Sequence, residues 1–149
     1  MPTPLRFVSP LHKAQRQLAE YMEAESRERG VEPTEGNLLS YVTIYGPCPV
    51  SQLSKVFGHK PSTLTSMLDR LEGRALLERQ PNPDDRRSVL VSTTAHGAKV
   101  ATELRAMLEE MEEQIYEQIN ARDFAGFQAV MKAIADLTQV DLTALEQEP

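Results

Sequence analysis

The sequence predicts a mainly α-helical fold that carries one small β wing. Two short helical patterns, one ending at Gly58 and one running from Pro61 to about Gly73, are followed by two strand-like runs around a charged turn. Amphipathic helical patterns lie on either side of this stretch. That succession is typical of a winged helix-turn-helix, a module that usually binds DNA.

Length and composition predict a single soluble domain. The 149 residues can bury one good core, and no run of about 18 apolar residues is present to span a membrane. The N-terminal segment lacks the basic-then-apolar pattern of a signal peptide. A single cysteine allows no internal disulfide and suits a reducing compartment, so we expect a cytoplasmic protein.

Charge is unevenly distributed along the chain. Residues 50–95 carry seven Lys or Arg and five acids, a net charge of +2, whereas the whole chain carries −6. The remaining residues therefore carry −8. We expect this acidic frame to repel DNA everywhere except at one face of the mildly basic module.

The first two helices are predicted on either side of Gly30. Ser9 and Pro10 are favoured at a helix start, and apolar residues at helical spacing follow them as far as Gly30. A second helix is predicted to open at Pro33. It is predicted to end at the run Gly46-Pro47-Cys48-Pro49, because proline cannot continue a helix.

The helix that begins at Pro61 has two distinct faces. Its apolar residues recur at i, i+3, i+4 and i+7 and therefore share one face. Short hydroxyl side chains dominate the opposite face, which can lie close against a groove. The apolar face holds Leu64, Met67, Leu68 and Leu71, and the outward face holds Ser62, Thr63, Thr65, Ser66, Asp69 and Arg70.

Two strand-like runs, 75–80 and 88–93, are predicted to form the wing. The sequence PNPDD between them is a strong hairpin-turn signal. Within the second run Val89, Val91 and Thr93 share one face, as the alternation of a strand requires.

The C-terminal part is predicted to be helical. Thr94 is expected to cap a long helix from about Ala95 to Ile119, and a final helix to extend to about Leu145. The apolar stripes of these helices and of the first helix exceed what the small module can cover, so we expect a homodimer. We therefore divide the chain into a DNA-binding module, residues 34–98, and a helical dimerisation region, residues 1–33 and 99–149.

The wing and the helix before it resemble the MarR family of bacterial transcriptional regulators. The run DDRRSVLVSTTAHG, from Asp84 to Gly97, is similar to the family's wing signature, Asp-x-Arg followed by a strand and Leu-Thr-x-x-Gly. The helix from Pro61 is similar to the family's recognition helix. Two positions depart from the pattern: Thr93 replaces the Leu of the signature, and Ser66 stands where Arg is common.

This resemblance implies a transcriptional regulator, more commonly a repressor, that binds a pseudo-palindromic DNA site as a homodimer. Its recognition helices would enter major grooves about 10 base pairs apart. Arg87 would enter the adjacent minor groove, with Asp85 accepting a hydrogen bond from its guanidinium and Arg86 as a second contact. The implied DNA-contacting set is Ser62, Thr63, Thr65, Ser66, Arg70, Asp85, Arg86 and Arg87.

The resemblance also implies a pocket between the dimer body and the DNA-binding module. His12, Tyr41 and Tyr45 are the residues expected to line it, and a small aromatic or apolar effector is its expected ligand. Such an effector would weaken DNA binding by favouring a geometry whose half-site spacing misfits the site.

Several alternatives stay open. Arg70 has a second interpretation as the partner of a nearby acid, and Cys48 is better explained as a small buried hydrophobe than as a redox sensor. A winged-helix protein-interaction module without DNA binding competes with the regulator. The three histidines lack metal-ligand spacing, so we expect neither metal nor cofactor. No nucleophile–base pair or Gly-rich phosphate loop supports an enzyme.

Overall fold

Six helices and three short strands make up residues 3–139, the part of the chain that this computed structural model describes. The strands form one antiparallel sheet in the order β1-β3-β2. The elements are α1 (Val8–Glu28), α2 (Pro33–Tyr45), β1 (Cys48–Pro49), α3 (Val50–Phe57), α4 (Pro61–Gly73), β2 (Leu77–Asn82), β3 (Asp85–Thr93), α5 (Ala95–Tyr116) and α6 (Ala121–Thr138).

The first two helices begin in different ways. Helix α1 starts one residue before the predicted Ser9, and its N-cap Phe7 offers no side-chain cap, so the predicted Ser9 cap is wrong. Helix α2 starts at Pro33 as predicted. A capping box formed by Glu32 and Glu35 satisfies orphan amides at its first turn.

Helices α3 and α4 follow the predicted pattern. Helix α3 ends at Gly58, whose φ of +64° lies in the left-handed region that glycine enters without steric cost. Helix α4 then buries the apolar face predicted from its spacing, Leu64, Met67, Leu68 and Leu71.

The wing is longer than predicted. The outer residues of PNPDD belong to the strands, and the turn itself is reduced to Pro83 and Asp84. The side chain of Asn82 accepts a hydrogen bond from the backbone N–H of Asp84 at 3.0 Å and so closes that turn. Strand β1, which pairs with Leu90 and Val91 of β3, was not predicted.

Helix α5 leaves the wing through a capped and closely packed first turn. The Thr94 side chain accepts from the backbone N–H of Gly97 at 3.0 Å, which confirms the predicted cap. A Cβ at Gly97 would overlap the carbonyl oxygen of Leu76, so only glycine fits there. The helix ends at Tyr116, three residues before the predicted end, and the predicted extension of α6 to Leu145 lies outside the described residues.

The core lies where α2, α4, α5 and the sheet meet. Its fully buried side chains include Leu38, Leu39, Leu53, Leu71 and Val91. Helix α1 buries only Ser26, and α6 buries none of its residues. Within residues 3–139 no helix is long and apolar enough to cross a membrane.

Candidate nucleic-acid interface

The outward face of α4 is a row of exposed hydroxyls. Ser62, Thr63, Thr65 and Ser66 are all exposed, as predicted. The Thr65 hydroxyl donates to the Pro61 carbonyl at 2.9 Å, and the Ser66 hydroxyl donates to the Ser62 carbonyl at 3.0 Å. Because these two hydroxyls use their hydrogens within the helix, they present acceptor lone pairs outward. In this rotamer they suit the amino donors of bases better than phosphate oxygens, which only accept.

Arg70 is held by an acid from another helix. Its Nε donates to Glu35 Oε1 at 2.6 Å, although half of the Arg70 side chain is exposed. The alternative left open by the sequence, pairing with a nearby acid, is therefore the one present in the structure. The expected phosphate contact of Arg70 remains a prediction, and this ion pair does not favour it.

A second charge cluster joins α4 to the wing. Arg79 on β2 donates to Asp69 at 2.6 Å and, through Nε, to Glu72 at 2.8 Å. These side-chain hydrogen bonds, from Glu72 first and then Asp69, hold the pKa of Arg79 above its usual value. The cluster thus neutralises Asp69, the one acid on the outward face of the recognition helix, and fixes the base of the wing against that helix.

The tip of the wing carries two exposed arginines. Within residues 3–139 neither Arg86 nor Arg87 forms an ion pair. In this structure Asp85 accepts from the backbone N–H of Arg87 at 3.0 Å, and the Asp85–guanidinium contact expected in the DNA complex stays a prediction. A short Asp side chain closes this local turn more readily than it reaches the end of a long arginine.

The three residues predicted to line an effector pocket lie in different environments. His12 is exposed on α1, in an open groove whose lining comes from that helix alone and includes neither tyrosine. Tyr41 is buried, and its hydroxyl accepts from Gln52 at 2.9 Å. Tyr45 is partly exposed and packs on Tyr41 with ring centroids 4.6 Å apart. The structure therefore brings the two tyrosines together but not His12 with them.

Cys48 is a buried small side chain, as predicted. It lies in the core, and burial raises the pKa of its thiol because the thiolate would be poorly solvated there. In the described part of the chain no group of three or more His, Cys, Asp or Glu side chains is arranged to hold a metal ion.

Sequence comparison agrees with this geometry. The model of the MarR family matches residues 31–89, from the turn before α2 to the middle of β3. Over this segment the chain is similar to the MarR family. Members of this family are DNA-binding transcriptional regulators and not enzymes, which confirms the prediction that the chain is not an enzyme.

Relatives and solved structures match over different lengths. The chain is 31% identical to the multiple antibiotic resistance protein MarR of Escherichia coli over 84 residues, 56% of this chain and 58% of the relative. It is 35% identical to the transcriptional repressor MdtR of Bacillus subtilis over 57% of this chain and 52% of the relative. The crystal structure of Streptococcus pneumoniae FabT in complex with DNA matches with a TM-score of 0.81, 20% identity and coverage of 90% of this chain and 96% of that chain. This last likeness shows the fold.

Two residues that organise the site, Glu35 and Arg79, were missed by the sequence analysis. For Glu35 a signal exists: Leu38, Leu39 and Val42 follow it at i+3, i+4 and i+7, so a charge occupies the buried stripe of α2. A buried charge requires a partner, which directs attention to the arginines. Arg79 has no comparable signal, because a strand next to a turn commonly carries exposed charges.

Proposed function

We propose that the protein is a transcriptional repressor that binds a pseudo-palindromic DNA site as a homodimer. The proposal rests on which basic residues of the module pair with acids and which do not. Arg70, Arg74 and Arg79 pair with acids, whereas the other four bases form no ion pair within residues 3–139. These four, Lys55, Lys60, Arg86 and Arg87, are all exposed.

The uncommitted bases frame the recognition helix. Lys60 immediately precedes its first residue, and Arg86 and Arg87 occupy the wing tip. Cations on either side of a hydroxyl-bearing helix suit a duplex: phosphates pair with the cations, and base edges face the helix. In the proposed complex Arg87 enters a minor groove. Repression draws support from the relative MdtR, and DNA binding from the fold shared with the FabT–DNA complex.

The helical ends of the chain form the proposed dimer interface, the region assigned to residues 1–33 and 99–149. Large apolar side chains there are between 41% and 84% exposed. A two-fold interface would remove them from water, and hydrophobic burial is the main driving force of such association. These side chains are Leu18, Tyr21, Ile115, Tyr116, Phe127, Met131 and Leu137. A bacterial regulator of this kind works in the cytoplasm, where its DNA is.

We further propose that a small aromatic or apolar effector relieves repression. The exposed ring of Tyr45 offers an aromatic surface for such a ligand, backed by the buried Tyr41, which packs on Phe57 of α3. His12 lies in a groove that includes neither tyrosine, so it is not part of this surface. Loss of DNA affinity on adding an effector would follow if the ligand favours a misfitting geometry.

A salt titration of DNA binding tests the proposed function. For the wild type we expect the logarithm of the binding constant to fall linearly with the logarithm of salt concentration, because counterions are released from DNA. Arg87→Ala should cost about 1–3 kcal/mol and lower the slope by about one. Arg122→Ala, an exposed arginine on α6, is the matched control and should change neither. Absence of binding at low salt would refute the regulator and favour the protein-interaction module.

A further inference from the structure

A single buried carboxylate lies where three segments of the chain meet. The Glu35 side chain has no exposed surface. Its Oε1 accepts from Arg70 Nε at 2.6 Å, and its Oε2 accepts from Arg74 Nη1 at 3.1 Å and from the backbone N–H of Glu32 at 3.2 Å. Arg74 Nη1 also donates to the carbonyl of Gly30. The α1–α2 turn, the first turn of α2 and the last turn of the recognition helix are therefore joined through one side chain.

The two sides of this cluster differ in their access to water. About half of each arginine side chain is exposed, 50% for Arg70 and 44% for Arg74, so either can be rehydrated if Glu35 is removed. Glu35 cannot be rehydrated in place if the arginines are removed, and an unpaired buried charge is strongly unfavourable. A surface ion pair serving only stability would not need a fully buried acid on α2.

The cluster limits the rotation and the axial sliding of α4, which apolar packing alone restrains less. Arg70 and Arg74 are four residues apart, so they project from the same side of the helix on successive turns. Charge-assisted hydrogen bonds to one carboxylate have defined directions and lengths, whereas apolar contacts tolerate small sliding and rotation. The two arginines therefore fix both the rotation and the axial position of the recognition helix relative to α2.

We propose that Glu35 is a positioning residue for DNA recognition: through Arg70 and Arg74 it sets the placement of the hydroxyl-bearing face of α4 relative to the N-terminal part of the chain. This inference rests on the proposed function. It assigns Arg70 to the positioning of the helix and not to phosphate. Glu35 touches no DNA, so its loss should reduce discrimination between sequences more than affinity for DNA in general.

The test compares Glu35→Gln with wild type on two probes. One probe is a duplex from the DNA upstream of the protein's own gene, and the other is calf thymus DNA. The amide keeps the volume and one acceptor for Arg70, but its NH₂ group faces the donors of Arg74 and Glu32. We expect at least about tenfold weaker binding to the upstream duplex, binding to calf thymus DNA within about twofold of wild type, and an unchanged salt slope, because no phosphate contact is lost.

Matched variants separate positioning from folding and from phosphate contact. Glu109→Gln removes an exposed acid that pairs with Arg105 on α5, and it should leave both affinities unchanged. Arg74→Gln leaves Glu35 paired with Arg70 and should show the same selective loss in weaker form, which keeps the test open if Glu35→Gln does not fold. Equal affinity of Glu35→Gln and wild type for both probes, or equal loss on both, would overturn the proposal. If Arg70→Gln lowers the salt slope by about one, Arg70 contacts a DNA phosphate. That result would also overturn the proposal.

Hydrogen exchange distinguishes failure of this inference from failure of the proposed function. In free Glu35→Gln we expect faster exchange at the end of α4 and in the α1–α2 turn, with exchange in α5 unchanged. This measurement needs no DNA. If wild type binds neither probe, the proposed function fails while the exchange data still decide whether Glu35 restrains α4. Unchanged exchange at both segments would overturn the restraint itself.

Discussion

The DNA-binding module and the helical ends of the chain treat their apolar residues in opposite ways. Helices α2 and α4 bury apolar side chains in one core cluster that also includes residues of α5 and the sheet. Helices α1 and α6 have similar helical spacing, but α1 buries only Ser26 and α6 buries nothing. An amphipathic helix gains most of its stability by burying its apolar face. Helix α5 therefore completes the core together with the module, whereas α1 and α6 require another surface.

Charges follow the same division. In the module, three arginines neutralise acids that join the recognition helix to α2 and to the wing. Five acids on α5 and at its C-cap are all exposed: Glu109, Glu110, Glu112, Glu113 and Glu117. This distribution of charge explains why a net charge of −6 does not argue against DNA binding. Three acids of the module, Glu35, Asp69 and Glu72, pair with arginines, and the bases that form no ion pair within the described residues frame one helix.

Truncating a buried side chain in the core should have the largest effect on stability. Leu39→Ala removes a fully buried side chain of α2 and should lower the free energy of unfolding by about 2–5 kcal/mol, because a cavity remains. Ile44→Ala, on the same helix but 54% exposed, is the control and should cost less than about 1 kcal/mol. Urea unfolding measures both. Similar losses for the two variants would show that the module does not hold the core.

Truncating an apolar side chain on the exposed face of α6 should weaken dimer formation. Phe127 is 56% exposed, and Phe127→Ala should raise the dimer dissociation constant about 30-fold, equivalent to about 2 kcal/mol, if its ring is central to the interface. Gln128→Ala, its exposed polar neighbour, should change the constant by less than about threefold. Sedimentation equilibrium gives both values. A monomeric wild type at micromolar concentration would contradict the dimer.

We expect the buried Cys48 to make the free energy of unfolding depend on pH. Burial raises the pKa of its thiol above the unfolded value, so the folded state retains a proton that the unfolded chain releases. Its contribution to stability is complete below the unfolded pKa of about 8.5 and is lost as pH rises towards the folded pKa, by up to about 1.4 kcal/mol per pH unit. Cys48→Ala should lack this loss. Parallel stability curves for the two proteins between pH 8 and 10 would contradict the burial.

The smallest effect is expected at a strained position in the module. Ala75, in the turn between α4 and β2, has a φ of +56°, where a Cβ costs about 1–2 kcal/mol. Ala75→Gly should raise stability by less than about 1 kcal/mol, because the greater freedom of unfolded glycine offsets part of the relief. Ala125→Gly, in the exposed interior of α6, should instead lower stability by about 1 kcal/mol. A loss at both positions would show that Ala75 is not strained.

Local patterns in the sequence were sufficient for most of the fold and for part of the site. The faces of α4, the stop at Gly58 and the Thr94 cap depend on neighbouring residues, and the structure confirms them. Strand β1 has only two residues, too few for a periodic pattern, and its ladder partners lie more than 40 residues away. The local turn that Asp85 closes through the backbone N–H of Arg87 was not predicted.

The role of Arg70 depends on tertiary structure. Its partner Glu35 is separated from it by 35 residues, and no local rule brings them together. Spacing placed Arg70 correctly on the outward edge of α4, where it is half exposed. The direction of its guanidinium, towards α2, follows only from the way the fold brings Glu35 beside α4.

Footprinting on the DNA upstream of the protein's own gene tests the account most directly. A dimer joined through its helical ends, with uncommitted bases flanking each recognition helix, should protect two symmetric half-sites whose centres lie about 10 base pairs apart. Protection should extend into the minor groove beside each half-site, where Arg87 is expected, and that outer protection should be lost in Arg87→Ala. Protection of a single unsymmetric segment, or no protection at low salt, would contradict the account.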